Sequence, residues 1–453
     1  MNINPLLTSP IRPDWENLVG LDAILSTNDL SPSCQEIIRN TIASPNIPEY
    51  IVSPHTQEDL AAVVAIASQH KWTILPCGNT SKLDWGNLVK HSELLLSTQN
   101  LNRLIEHAIA DLTVTVEAGM TFANLQAILA QKGQFLALDP AYPETATIGG
   151  IIATADTGSR RQRDRGVRDM LLGITFVRHD GKIAKAGGKV VKNVAGYDLM
   201  KLLTGSYGTL GIITQVTFRV YPLPDASQTV LLTGKTDALN QVTKSLLSST
   251  LTPISLDLVS SPLIEKIGLG KEMGLLVRFQ SIPESVKEQA KRLLEMGHNL
   301  GLSGNTYTDT DDTNLWQQLK QQIWSIESSS PILCKIGMLP SEAVNTLNKL
   351  PQETVLIHGG VGLGVLRLET STPEKLLEIR RWCETKGGFL TILKAPSELK
   401  EKIEVWGYNG NSLDLMRRLK QQFDPQNIFS PCRFVGKTCG TGKMPVVAQA
   451  SCL

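Results

Sequence analysis

The chain has 453 residues, 42% of them hydrophobic and 19% charged, which is enough apolar sequence for two or three globular domains. Lysine plus arginine (44) nearly equals aspartate plus glutamate (43), and this balance excludes the basic surface typical of proteins that bind nucleic acid or anionic membranes. No apolar run approaches the ~20 residues that span a bilayer, and the N-terminus lacks the pattern of a secretory signal. We therefore expect a cytoplasmic protein.

Seven cysteines are scattered along the chain, at positions 34, 77, 334, 383, 432, 439 and 452, without a C-x-x-C pair. Zinc sites and four-thiolate iron–sulfur clusters use closely spaced cysteine pairs. We therefore expect reduced thiols and no metal site in this chain.

The first part of the sequence alternates short strands and helices. Thr56 and Asp59 resemble a capping box that opens a helix through residues 60–70, and Gly133 is expected to end a second helix. Predicted strands are 73–75, 93–98 and 112–119. This α/β pattern continues to about Pro222.

The second part mixes strands with polar helices, and DTDDTN (309–314) is interpreted as a surface loop. The predicted divisions are an N-terminal extension (1–45), a first domain (46–222), an α+β domain (223–390), a C-terminal segment that packs back on the core (391–435) and a flexible tail (436–453).

The stretch PCGNTSKLDWG (76–86) follows a predicted strand and is rich in small and hydroxyl-bearing residues. Such a loop exposes backbone N–H groups and hydroxyls, which are the properties of an anion or phosphate cradle. The alternative is an ordinary turn, since Gly and Asn are common in turns. The loop by itself leaves both interpretations open.

Two further glycine clusters lie in the same domain, PETATIGGIIATADTG (143–158) and the region 187–214, which ends in GSYGTLGIIT. Walker loops and the G-x-G-x-x-G fingerprint are absent from the sequence. Each cluster taken singly is compatible with tight turns. Three clusters at strand edges in one domain favour a large elongated ligand.

The order and the residues of these motifs resemble those of the FAD-binding domain of the vanillyl-alcohol oxidase and p-cresol methylhydroxylase flavoprotein family. Within that family, RDMLLG, the region 177–214 and FDPQNIFSPCRF (423–434) resemble the FAD-binding E subunits of bacterial glycolate oxidases or dehydrogenases. The resemblance implies an α+β fold, in which a two-part FAD-binding domain (46–222) is followed by a smaller α+β cap domain.

The same resemblance implies the residues that contact FAD. They are Cys77, Gly78, Asn79, Thr80 and Ser81 at the pyrophosphate, Thr147, Gly149, Gly150, Thr154 and Gly158 near the ring and ribityl chain, and Gly211 and Ile212 after the last glycine cluster. Many family members attach the flavin through a histidine near the first loop. Because residues 76–86 contain no histidine, we expect non-covalent FAD.

Relatives that oxidise 2-hydroxy acids carry a metal site that reads H-x-G-D-G-N-L-H. The corresponding stretch here is HGGVGLGV (358–365), in which Val361 replaces the acid, Val365 replaces the second histidine, and no later histidine follows. A lone neutral ligand does not hold a divalent metal firmly. His358 is therefore interpreted as a packed residue or a relic, and no catalytic residue is assigned.

The resemblance predicts an FAD-binding subunit of a glycolate (2-hydroxy acid) oxidase complex. Its partners would be a D-like catalytic flavin subunit and an iron–sulfur F-like subunit, which would bring the complex to the inner face of a membrane. Alternatives are a free-standing FAD oxidoreductase with a metal-free pocket and a non-catalytic scaffold. The five arginines between residues 160 and 168 are interpreted as a solvated loop, or as a site for flavin, a carboxylate or an acidic partner.

Overall fold

The computed structural model describes residues 12–189, 196–325, 331–407 and 410–434. These residues form a four-stranded, a five-stranded, a two-stranded and an eight-stranded sheet. Within the described ranges, no helix is both long enough and apolar enough to cross a bilayer. The predicted tail (436–453) lies outside the described residues.

The four-stranded sheet carries the first predicted loop. Its strands are β1 (Ile24–Ser26), β2 (Tyr50–Val52), β3 (Ile74–Cys77) and β4 (Leu94–Ser97), in the order β1-β2-β4-β3. Its helices are α1 (Arg12–Val19), α2 (Pro32–Arg39) and α3 (Gln57–His70), and 3-10 turns lie at Leu21–Ala23 and Thr27–Asp29. The predicted cap of α3 is confirmed, because Thr56 Oγ1 accepts the Asp59 N–H at 3.1 Å.

The five-stranded sheet is antiparallel. The other two glycine clusters lie mainly in the segments that connect its strands. Its strands are β5 (Leu104–Ala108), β6 (Thr113–Glu117), β8 (Leu171–Val177), β9 (Ile183–Gly187) and β10 (Ile212–Arg219), in the order β5-β6-β10-β8-β9, while β7 (Gln134–Phe135) pairs with β11 (Tyr221–Pro222). Its helices are α4 (Phe122–Ala130), α5 (Ile148–Thr154), α6 (Arg161–Asp164), α7 (Val167–Met170) and α8 (Leu199–Leu203). Helix α4 ends before Gly133, which adopts φ +67° in the turn that follows.

The eight-stranded sheet is antiparallel in every pairing. Its order is β15-β12-β14-β13-β17-β18-β16-β19, with β12 (Ala226–Thr233), β13 (Ser255–Val259), β14 (Gly274–Ser281), β15 (Ser303–Thr308), β16 (Ile332–Gly337), β17 (Thr354–His358), β18 (Leu363–Leu368) and β19 (Phe389–Lys394). The helices are α9 (Thr236–Leu247), α10 (Ser261–Lys266), α11 (Pro283–Asn299), α12 (Asp309–Trp324), α13 (Ala343–Lys349), α14 (Pro373–Thr385), α15 (Ser397–Lys402) and α16 (Leu413–Phe423), with a 3-10 turn at Pro340–Glu342.

The DTDDTN stretch is not a surface loop, because it forms the first turns of α12. Asp312 is fully buried and accepts hydrogen bonds from Arg278 Nη2 at 2.6 Å, Ser227 Oγ at 2.8 Å and Thr229 Oγ1 at 2.5 Å. Acidic residues in a first turn are favoured by the helix dipole. This charged stretch therefore resembled a loop in the sequence although it forms the start of a helix.

The chain returns to the first sheet at its C-terminal end. Ile74 donates its N–H to Ile428 O at 2.7 Å and accepts the N–H of Ser430 at 2.9 Å. Phe429 is fully buried in the same core as α3. Residues 428–433 consequently lie beside β3 and the loop that follows it.

Candidate functional site

The loop after β3 is held against the start of α5. A Cβ atom at Gly78 would overlap Thr147 Oγ1 and lie 2.7 Å from Thr147 Cγ2. Thr147 caps α5, because its hydroxyl accepts the Gly150 N–H at 3.3 Å. Only glycine at position 78 permits this approach of loop to helix.

A first cavity lies between this loop, α5 and the start of β10. It is lined by the predicted residues Cys77, Gly78, Asn79, Thr80, Ser81, Thr147, Gly149, Gly150, Thr154, Gly211 and Ile212. Gly158 does not line it and instead borders the second cavity described below. Segments that are far apart in the sequence thus meet around one space.

The lining of the first cavity is positive. Lys82 and Arg433 contribute to it, and no Asp or Glu does so among the described residues. Burial lowers the pKa of Lys82, although Asp156, 2.5 Å away, opposes that shift. Burial raises the pKa of Cys77 to about 12, so this thiol stays neutral. The lining therefore presents no negative side chain to a phosphate.

Besides Lys82 Nζ, which forms the ion pair with Asp156, two buried polar atoms of this lining, Ser206 Oγ and Arg433 Nη1, have no hydrogen-bond partner in the described part of the chain. An unsatisfied buried polar group costs about 1–3 kcal/mol, and most such groups are paired in native proteins. A glycine-rich loop, a positive lining and unpaired donors fit an anionic ligand of the pyrophosphate type.

The lining residues that were missed at the sequence level include Lys82, Ser206 and Arg433. Lys82 directly follows the predicted loop, and a cation adjacent to a phosphate cradle was an available signal. Arg433 lies in the PCRF end of the C-terminal motif, but its distance in sequence from the loop gave no indication that they meet.

A second cavity adjoins the first, and Thr154 and Tyr207 line both. Its wall includes Trp85 and Trp324, whose rings stack with centroids 5.7 Å apart. Its acidic and basic lining residues are Asp139, Asp156, Arg161, Lys320, Lys335 and His358. A small molecule in this cavity would lie next to a ligand that fills the first.

His358 lies at the end of β17 and lines the second cavity with 5% exposure. Its Nδ1 lies 2.8 Å from Asp257 Oδ1, and the Ser159 hydroxyl donates to the same carboxylate. Burial would lower the pKa of His358, but the Asp257 carboxylate outweighs burial and raises it. Because Asp257 occupies Nδ1, Nε2 is the ring nitrogen left for a molecule in the cavity.

The turn after His358 contains Gly362 at φ +66°, and Val365 on β18 lines the second cavity. Val365 is the position at which the metal-binding motif has its second histidine. Among the described residues, no group of three or more His, Cys, Asp or Glu side chains is arranged to hold a metal ion.

Arg161, Lys320 and Lys335 line the second cavity with no carboxylate oxygen within 4.0 Å in the described ranges. Burial lowers the pKa of Lys335, and the nearby positive charge of Arg161 lowers it further. Asp139, in the same lining, has a pKa raised by burial. The cavity therefore has a local excess of positive charge.

The arginine cluster divides between interior and surface. Arg160 is paired with Asp164 at 2.8 Å, and Arg161 faces the second cavity. Arg163, Arg165 and Arg168 are exposed. The expected solvent exposure thus holds for three of the five arginines, but Arg163 and Arg168 lie in α6 and α7 rather than in a loop, and the other two arginines are partly enclosed.

The arrangement of sheets and the positive, glycine-rich cavity define a nucleotide-binding flavoprotein fold. The profile described as "FAD binding domain" matches residues 48–187, and the profile of the C-terminal domain of FAD linked oxidases matches residues 401–434. p-Cresol methylhydroxylase with bound substrate has the same fold, with a TM-score of 0.72 at 17% identity over 93% of this chain and 95% of that one.

Glycolate oxidase subunit GlcE of Escherichia coli (strain K12) is 32% identical over 335 residues, covering 73% of this chain and 84% of that protein. Subunit GlcD of Bacillus subtilis (strain 168) is 26% identical over 423 residues, covering 86% and 90%. The chain belongs to the family of FAD-binding oxidoreductases of the p-cresol methylhydroxylase type, to which these glycolate oxidase subunits belong. FAD is its cofactor, and the predicted α+β fold is confirmed.

Proposed function

We propose that the chain is the E-type, FAD-binding subunit of a glycolate (2-hydroxy acid) oxidase complex. The observation that carries this proposal is the second cavity, which adjoins the first but has Val365 where a metal-dependent catalytic subunit has a histidine. The relative named GlcE, with the highest identity over most of the chain among those described above, supports the same assignment.

In this proposal the first cavity holds FAD without a covalent bond. The backbone and hydroxyls of Cys77 to Ser81 bind the pyrophosphate, assisted by Lys82, while α5 and Gly211 lie along the rest of the cofactor. FAD, when bound, supplies the capacity to accept and release electrons. Acid precipitation would release all of the flavin into solution if the attachment is non-covalent.

The partners follow from the same assignment. A D-like catalytic flavin subunit would oxidise the 2-hydroxy acid, and an iron–sulfur F-like subunit would carry the electrons onward to an acceptor at the membrane. Support comes from the two glycolate oxidase subunits among the relatives. The cytoplasmic location expected from the sequence fits such a complex.

A second candidate is a free-standing FAD oxidoreductase with a metal-free pocket. Arg161 and Lys335, which have no carboxylate oxygen within 4.0 Å in the described part of the chain, favour it because they could bind a small carboxylate next to the cofactor. His358 Nε2 in the same cavity could accept a proton from such a substrate, with Asp257 stabilising the charged ring. This candidate predicts turnover without any partner subunit.

The experiment is anaerobic spectroscopy of the purified chain, alone and with its co-expressed partners, after addition of glycolate or D-lactate. Flavin that is reduced only in the assembled complex supports the E-type subunit. Flavin reduced by substrate in the isolated chain supports the free-standing enzyme and overturns the first proposal. A flavin-free chain that still assembles into an active complex would identify a scaffold and contradict both.

A further inference from the structure

Arg433 is the cation of the first cavity that has no carboxylate oxygen within 4.0 Å among the described residues. It is 4% exposed, and its Nη2 donates to the carbonyls of Leu83 and Trp85, the latter at 2.6 Å. These two bonds fix the guanidinium under the loop that follows the predicted phosphate cradle. Nη1 of the same group is buried and has no partner among the described residues.

The surroundings of Arg433 are positive rather than neutral. Asp84, the nearby acid, is 3.1 Å from Lys394 Nζ, and Lys400 Nζ donates to the Asp84 carbonyl. Burial lowers the pKa of Lys400 to about 8, and Arg433 contributes to that shift. Three buried cations thus surround one carboxylate, which leaves an excess charge that an anion in the first cavity would offset.

The position of Arg433 points to one end of the cofactor. It lines the first cavity with Tyr207, which borders the second cavity as well, and it holds the carbonyl of Trp85, whose side chain lines that second cavity. If a molecule in the second cavity is to exchange electrons with FAD, the redox-active ring must lie where the two cavities meet. Arg433 binds the backbone where the chain passes from the first cavity to the second, because Leu83 lines the first and Trp85 lines the second.

We propose that Arg433 is a positioning residue for the isoalloxazine ring of FAD, and that its Nη1–H donates to the ring and stabilises the reduced, anionic form. Uptake of two electrons and one proton leaves the ring with one negative charge, which a fixed, desolvated guanidinium stabilises more strongly than the neutral oxidised ring. The inference rests on the proposed placement of FAD in the first cavity, so its test measures flavin retention separately from flavin potential.

The test compares Arg433→Gln and Arg433→Lys with Arg417→Gln, an exposed arginine on α16 that pairs with Asp414. The midpoint potential of bound FAD is measured by equilibration with reference dyes, and FAD affinity by titration of the apoprotein. We expect Arg433→Gln to destabilise the reduced form relative to the oxidised form at least tenfold, which lowers the potential by about 30 mV for a two-electron couple. Arg433→Lys should recover part of this shift, and Arg417→Gln should leave it unchanged.

A purely structural role makes a different prediction. Loss of the bonds to Leu83 and Trp85 would lower the melting temperature of apoprotein and holoprotein equally, without a change in potential. That result would overturn the inference, as would weaker binding of both FAD and ADP at an unchanged potential, which would place Arg433 at the pyrophosphate. If no Arg433 variant retains FAD, the potential of reconstituted protein at saturating FAD decides the question in the same way.

Discussion

Replacement of Gly78 gives a direct test of the first cavity. A side chain at this position would overlap the Thr147 hydroxyl and lie 2.7 Å from its methyl carbon, so Thr147 must move. Gly78 has no left-handed φ, and an alanine therefore meets a spatial conflict rather than backbone strain. Displacement of Thr147 also removes the N-cap bond to Gly150.

The expected loss of FAD affinity follows from the displacement of Thr147 and the loss of its N-cap bond. Overpacking costs about 1–3 kcal/mol and loss of an N-cap about 0.5–2 kcal/mol. Since about 1.4 kcal/mol is a tenfold change in affinity, Gly78→Ala should weaken FAD binding at least tenfold. Gly78→Val, with two more methyl groups, should expel FAD during purification.

The assay is titration of apoprotein with FAD, followed by flavin fluorescence, with circular dichroism to verify folding. Gly188→Ala is the matched control, because a Cβ atom there meets no atom within 4 Å. A folded Gly78→Val variant that retains one FAD per chain would refute the assignment of this loop as the cofactor cradle.

Three other predictions concern buried groups. Lys82→Met leaves the buried Asp156 carboxylate without its cation and should lower the free energy of unfolding by about 3–5 kcal/mol. If urea titration shows a decrease of less than about 1 kcal/mol, the buried ion pair is contradicted. The raised pKa of His358 means that Asp257 stabilises the fold fully below pH 6.5 and progressively less as pH rises through the folded-state value. The urea midpoint of the wild type should therefore fall more steeply with rising pH than that of His358→Gln. Equal slopes for the two proteins would exclude a stabilising His358–Asp257 pair. Cys77, with a pKa of about 12, should be alkylated by iodoacetamide far more slowly than glutathione at neutral pH, as measured by mass spectrometry against Cys77→Ser; equal rates would be inconsistent with its burial.

If His358 is the packed residue or relic that the sequence indicates, His358→Ala should leave the activity of the assembled complex largely intact. His358 lines the second cavity and is oriented by Asp257, so a loss of a hundredfold or more without unfolding would favour a catalytic role over a packed relic. Activity close to wild type in the assembled complex would favour the E-type assignment.

Local patterns were sufficient for several elements in the first part of the chain. The cap at Thr56, the apolar run that became β3 and the small residues of the following loop are short-range features, since capping, strand formation and close backbone approach depend on neighbours in sequence. The family resemblance depended on the same stretches. DTDDTN was mispredicted because Arg278, which pairs with the buried Asp312 of this stretch, lies on β14, and the sequence does not show that the two residues meet.

The sequence by itself determined the FAD-binding class, the positions of the three glycine clusters and the departure of residues 358–365 from a metal-binding motif. Only the tertiary structure decided that Arg433 lines the first cavity, that His358 pairs with Asp257, and that Arg161 and Lys335 line the second cavity with no carboxylate oxygen within 4.0 Å among the described residues. The physical reason is that charge pairing and burial depend on distances between side chains on different sheets. Those distances are set by packing of the whole chain rather than by any local pattern.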